Sequence, residues 1–235
     1  RCLHPLKQIS ERGSGRATAY EGSNKIVTVD GKTHITWLDS HDDAFYVKIK
    51  TFDRNTDSWS DTYTIGQAHD NHGGPAIAVD SKGYLHIVYY PHHQQFRYRR
   101  SINPNDSSDW TAETLVGDEL DRLTYPSLVC SKDDKLILSC RHRSQSELWT
   151  LALYEKPYGQ SWQGPRILAK GHADSGYCRW ENSLAVGPDP NDIHLLMSFF
   201  EQDFPDPNFA GIGYAIGYLH SPDNGSTWQK LDGTT

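Results

Sequence analysis

The sequence predicts an all-β protein, a β-propeller of four-stranded blades. Three observations carry this: a strand–turn–strand unit that occurs four times, a tryptophan that recurs at one place in each unit, and the lack of any amphipathic-helix period. The units are VTVDGKTHITW (27–37), IAVDSKGYLHIVYY (77–90), LVCSKDDKLILSCR (128–141) and LAVGPDPNDIHLLMSF (184–199). Aligning Val29, Val79, Cys130 and Val186 gives steps of 50, 51 and 56 residues. Each unit is two apolar runs around a polar turn, such as Asp30-Gly31 or Ser81-Lys82-Gly83, which is the pattern of a hairpin.

Trp59, Trp110, Trp162 and Trp228 follow at spacings of 51, 52 and 66, the last stretched by the insertion EQDFPDPNFAGIG (201–213). One such Trp per blade is expected to pack between sheets. A third strand precedes each of three of them, in YVKIKTF (46–52), FRYRRS (96–101) and AIGYLH (215–220). The repeats run over about 17–66, 67–117, 118–169 and 170–235, forming one domain or a fragment of one. SPDNGSTW (221–228) matches the Asp-box pattern of sialidase-like propellers, a structural turn that speaks to fold and not to chemistry. Rings of this blade type are usually larger than four, so Thr235 is not expected to be the natural C-terminus. Further blades are expected on another segment or chain.

With 23 basic against 30 acidic residues the net charge is −7, which argues against a nucleic-acid binder, because phosphate neutralisation needs a basic face. No apolar run reaches the length of a membrane span. Four cysteines do not make a disulfide scaffold. The chain opens at Arg1 without an initiator Met, so a targeting segment is expected to have been removed.

In a blade, residues before the first strand and after the second gather at one axial mouth. Here those places hold RATAYEGSN (16–24), HDNHGGP (69–75), RLTYPS (122–127), GYCRWEN (176–182), YPHHQQ (90–95) and RHRS (141–144). His, Tyr and Arg concentrate at this end, while the opposite turns carry Asp, Lys, Gly and Ser. His34, His86 and His194 lie inside second strands and are expected to pack. In FRYRRS, Arg97 and Arg99 share one strand face and Tyr98 and Arg100 the other, and the run reads as a solvated outer surface. A local cation cluster on an acidic chain points to an anionic ligand, with Arg141 offering a planar fork to a carboxylate or sulfate.

The stretch HDNHGGPAIAVDSKGYLHIVYYPHHQQFRYRRS (69–101) resembles the bacterial-neuraminidase-repeat propellers, and among them the ulvan lyases of polysaccharide lyase families 24 and 25. The resemblance implies a seven-bladed ring, an anionic polysaccharide substrate, and cleavage by β-elimination at a uronic acid. It assigns His72 and His92 to the active-site histidine pair, Tyr125 to the base and acid, and Arg141 to carboxylate neutralisation. Asn71, His93, Tyr177 and Arg179 are candidates for substrate contact. The chemistry needs no cofactor. A structural zinc held by His142, His172 and Cys178 is a further expectation. A polymeric substrate implies a secreted or periplasmic home. Two rivals stand beside this reading. One is a sialidase-like hydrolase using Arg141, Arg179, Tyr177 and Glu181; the other is a non-catalytic carbohydrate-binding propeller.

Overall fold

The computed structural model describes residues 8–20, 22–144, 149–171, 177–202 and 215–235. They form four antiparallel sheets, each a meander in chain order. The first holds β1 (Ile26–Val29), β2 (Lys32–His41), β3 (Ala44–Asp53), a short β4 (Ser58–Trp59) and β5 (Tyr63–Ala68), the last two both pairing with β3. The second holds β6 (Ala76–Val79), β7 (Leu85–Tyr89), β8 (Phe96–Arg100) and β9 (Thr114–Val116). The third holds β10 (Arg122–Cys130), β11 (Leu136–Arg143), β12 (Thr150–Lys156) and β13 (Gln163–Lys170). β14 (Tyr177–Val186), β15 (Ile193–Gln202) and β16 (Ala215–Ser221) make the fourth.

Local chemistry sets these hairpins. Between β1 and β2, Asp30 and Gly31 take φ of 45° and 81°, the left-handed pair that a tight hairpin demands and Asp-Gly supplies cheaply. Period-two alternation then sends successive side chains to opposite faces. In β7, Ile87 joins the apolar core shared with the first sheet, through Leu38 and Ile49, while Val88 joins the core shared with the third, through Leu128 and Leu138. Ile137 and Leu138 divide in the same way between the fourth and second sheets. Three cores therefore lie between four stacked sheets, and β7 is buried along its whole length.

Trp110, Trp162 and Trp228 each pack on one of these cores, and Trp59 lies against Phe52 with ring centroids 5.1 Å apart. At the fourth-sheet turn, Ser221 Oγ donates to Asp223 Oδ1 at 2.9 Å and the Thr227 amide to the same oxygen at 2.7 Å. Trp228 Nε1 closes the turn on the Gly225 carbonyl at 3.1 Å.

The leading strands β1, β6, β10 and β14 clasp one another. The Ile77 amide donates to the Asn24 carbonyl at 2.9 Å, Ser23 Oγ to the Pro126 carbonyl, and Asn182 Nδ2 to the Tyr125 carbonyl at 3.0 Å. The approach is so close at Gly22 that a Cβ there would sit 1.7 Å from the Asn182 carbonyl oxygen. Position 22 can therefore hold only glycine without moving a leading strand. The segments before β6 and after β7 meet at one end, where the His69 amide donates to the Tyr90 carbonyl at 2.9 Å. Gln94 and Leu123 bridge this end to β10.

Candidate active site

The end where those segments meet collects the histidines, tyrosines and arginine that the repeat topology assigns to the mouth. Asp70 opens a turn whose His72 amide bonds back to Asp70 Oδ1 at 2.7 Å. The same carboxylate takes His72 Nδ1 at 3.2 Å and His92 Nδ1 at 2.6 Å. The two imidazoles stack with centroids 3.8 Å apart and planes 21° apart. Donation from both Nδ1 atoms leaves each neutral ring with a bare Nε2 able to accept a proton. Burial pushes the Asp70 carboxyl up, but bonds from the His72 amide and the two imidazoles outweigh this and hold it below its ordinary value. Burial, then the neighbouring His92, push His72 below its usual 6.5.

Arg141, 1% exposed, lies at the mouth end of β11. Its guanidinium sits 4.0 Å from the Trp149 ring centroid and 4.7 Å from that of Tyr125, and cation–π attraction offsets part of its desolvation. Nη2 reaches His93 Nε2 at 2.8 Å and Thr124 Oγ1 at 3.3 Å. Because the guanidinium can only donate, His93 Nε2 is the acceptor and that ring is neutral. Burial, then the Arg141 charge, push His93 down to about 4.

Tyr125 carries φ of 59° at a bulge where the β10–β11 register shifts between Thr124 and Ser127. A left-handed tyrosine before a proline is costly and is held by its surroundings. Its ring lies 4.6 Å from that of Tyr20, which in turn stands 6.2 Å from His72. Tyr20 Oη accepts from Arg16 at 2.8 Å; burial and then Tyr125 push its phenol up to about 12. A cation, two phenols and a clipped imidazole pair thus converge. The set can bind an anion, accept a proton and return one.

Residues 32–235 match the family model described as BNR repeat-containing family member. The chain belongs to the BNR repeat-containing family. Among curated relatives, this family member is 23% identical to the ulvan lyase of Alteromonas sp. (strain LOR) over 196 residues, 70% of this chain and 38% of that protein. It is 22% identical to the ulvan lyase of Nonlabens ulvanivorans over 177 residues, 63% of this chain and 35% of that protein. The chain thus spans little more than a third of these relatives' length. Its fold is similar to that of polysaccharide lyase Uly1, with a TM-score of 0.65 at 16% identity, covering 99% of this chain and 60% of that one. An α-L-arabinanase of Penicillium chrysogenum follows at 0.55 and 15%, covering 95% and 71%. These likenesses fix the all-β fold of propeller-type blades.

Of the residues singled out from sequence, His72, His92, His93, Tyr125 and Arg141 come together in this BNR-repeat chain. Asn71 lies half-buried in the same turn, but the carboxylate that joins the histidines is its neighbour Asp70. Arg179 is exposed on β14 and ion-paired with Glu181; Tyr177 opens β14, and its side chain lies outside the described residues. His142 spends Nδ1 on Thr150 Oγ1 and Nε2 on Asp121 Oδ1, both at 3.0 Å, in the interior. Cys178 is buried in the core between the third and fourth sheets, and His172 lies outside the described residues. Zinc at that trio would have to displace His142 from one of its two partners. The described residues whose donor atoms do converge as metal ligands are Asp70, His72 and His92, within 4.8 Å of one another.

Asp70, Tyr20, Arg16 and Trp149 are the site residues that reading the sequence did not single out. For Asp70 a signal existed, since an Asp two residues before a His and a Gly-Gly-Pro is an Asx-turn pattern. One expectation is corrected: FRYRRS is not a solvated face. Arg97 pairs with Glu113 at 2.9 Å, Arg99 Nε bonds the Thr111 carbonyl at 2.6 Å, and Tyr98 is 6% exposed between sheets.

The neutral, half-buried histidines His72 and His93 set a pH dependence. The unfolded chain protonates His93 near its ordinary 6.5, the folded one only near 4, so below 6.5 the unfolded state holds more protons and folding weakens as pH falls. His72 acts in the same direction. The urea midpoint is expected to drop between neutral pH and pH about 4, and His93→Gln to flatten that drop. Equal pH slopes in the two proteins would exclude this role.

Proposed function

We propose that this chain is the catalytic part of a polysaccharide lyase that cleaves an anionic, uronic-acid-containing polymer by β-elimination. The observation that carries the reading is the convergence of the Arg141 guanidinium, Tyr125 and the Asp70-clipped His72–His92 pair. The ulvan lyase relatives and the fold of Uly1 support it.

Abstraction of the proton at C5 of a uronate places negative charge beside an existing carboxylate. A cationic fork on that carboxylate stabilises the enolate-like intermediate. In this reading Arg141 supplies the fork. Tyr125, its ring 4.7 Å from that cation, takes the C5 proton. The C5–H and C4–O4 bonds break, a C4=C5 double bond forms, and a proton passes to the departing O4 from the Tyr125 phenol, or from His92 when its Nε2 carries a proton taken up beforehand. No water is consumed, and proton transfer alone suffices, so no cofactor is required. The sulfated, ulvan-type polymer named for the relatives is the substrate we propose, which puts the enzyme outside the cytoplasm. Among the described residues no helix is long and apolar enough to cross a membrane.

Incubating the protein with ulvan, and then with other uronate polymers, tests this. The expected result is rising ultraviolet absorbance from the conjugated uronate end. New reducing ends without that absorbance would make the protein a hydrolase. Binding without either product would make it a binding module.

A further inference from the structure

Opposite the mouth, the turns of the second and third sheets enclose a cleft of about 490 Å³, within the roughly 300–1,000 Å³ of small-ligand sites. Arg100, the last residue of β8, and Lys156, the last of β12, both line it. The Arg100 guanidinium rests 4.5 Å from the Tyr84 ring centroid, and its Nε is buried with no hydrogen bond among the described residues. Lys156 Nζ donates to the Gln160 carbonyl at 2.7 Å, which leaves two of its three donors. Burial, then the Arg100 charge, lower the Lys156 ammonium, as expected for two cations facing one cleft.

The carboxylates of the cleft are already committed. Asp80 takes His86 Nε2 at 3.2 Å and the amides of Lys82 and Tyr84; Asp134 takes the amide and hydroxyl of Ser81. Among the described residues neither forms an ion pair with Arg100 or Lys156. Tyr98 and Tyr158 add aromatic wall.

The repeat supplies an internal control. Between the first and second sheets the equivalent cleft measures about 210 Å³. There the place opposite the second-strand histidine holds Thr51, where the larger cleft has Arg100. His34 Nε2 is met by Asn105 at 2.8 Å, and the charged groups lining that cleft, Lys32, Asp53 and Asp106, lie at other positions. The scaffold therefore does not require a cation at this position.

We propose that the larger cleft is a second, non-catalytic site for an anionic sugar residue, with Arg100 and Lys156 on its carboxylate or sulfate and the tyrosines against its ring. The choice of a sugar rests on the lyase reading. A chain held here lies on the far face from the mouth, so the site tethers the protein to its polymer and raises the local concentration of scissile bonds.

Affinity electrophoresis of the full chain tests it, in gels cast with polygalacturonate, with a sulfated neutral galactan, or with no polymer. Arg100→Gln combined with Lys156→Gln is expected to raise the apparent Kd for at least one polymer about tenfold, while plain-gel mobility still reports a folded chain. The charge-matched pair Arg54→Gln and Lys230→Gln, both exposed, serves as control. A control that loses as much retardation as the cleft variant, or a cleft variant that loses none in either gel, overturns the proposal. The readout is binding, so the two readings fail separately. Cleft-dependent retardation without elimination removes only the lyase, and elimination with cleft-independent retardation removes only the second site.

Discussion

Arg141→Ala is expected to lower kcat on a uronate polymer by about 10²–10³-fold, the usual cost of removing one preorganised group that meets developing charge. Arg141 is buried between Trp149 and Tyr125 and bonds His93, so the deletion also disturbs packing. Arg141→Lys separates the two effects. It keeps a charge on a similar stem but loses the planar fork, and should recover stability in urea more fully than turnover. A lysine variant with native kcat would remove bidentate recognition from the mechanism. An alanine variant that folds and turns over normally would remove Arg141 altogether.

Tyr125→Phe should leave the ring, its contact with Tyr20 and the Arg141 stack in place while deleting the proton-carrying oxygen. Loss of general acid–base assistance predicts a fall of about 10²–10⁴-fold in kcat with little change in polymer affinity. Paired steady-state kinetics and equilibrium binding on the same preparation decide the matter. If affinity collapses and the residual kcat is native, Tyr125 is a binding residue, and proton transfer passes to the Nε2 atoms of His72 and His92.

The blades were legible because hairpins are local: Asp-Gly at a turn and alternating apolar residues declare a strand pair without reference to the rest of the chain. The mouth was legible for a related reason, since in a repeated meander the ends of the first two strands must share one side. That brought out His72, His92, Tyr125 and Arg141. Asp70, Tyr20 and Trp149 escaped because loop conformation sets their places, and no period reports it. Tyr20 sits at φ of 68°, and Asp70 reaches His92 across 22 residues. FRYRRS failed differently. Alternation assigns Tyr98 and Arg100 to one face, but cannot say that another sheet stands against it.

Stacking has a mechanical side. The second and third sheets carry a core on each face, whereas among the described residues the fourth carries one and shows Leu196, Ile216 and Tyr218 on its other side. Opening β7 or β11 must break two layers of contacts at once. His72, His92, Tyr125 and Arg141 all hang from the doubly clamped pair. The groups that need fixed positions are therefore carried by sheets braced on both faces.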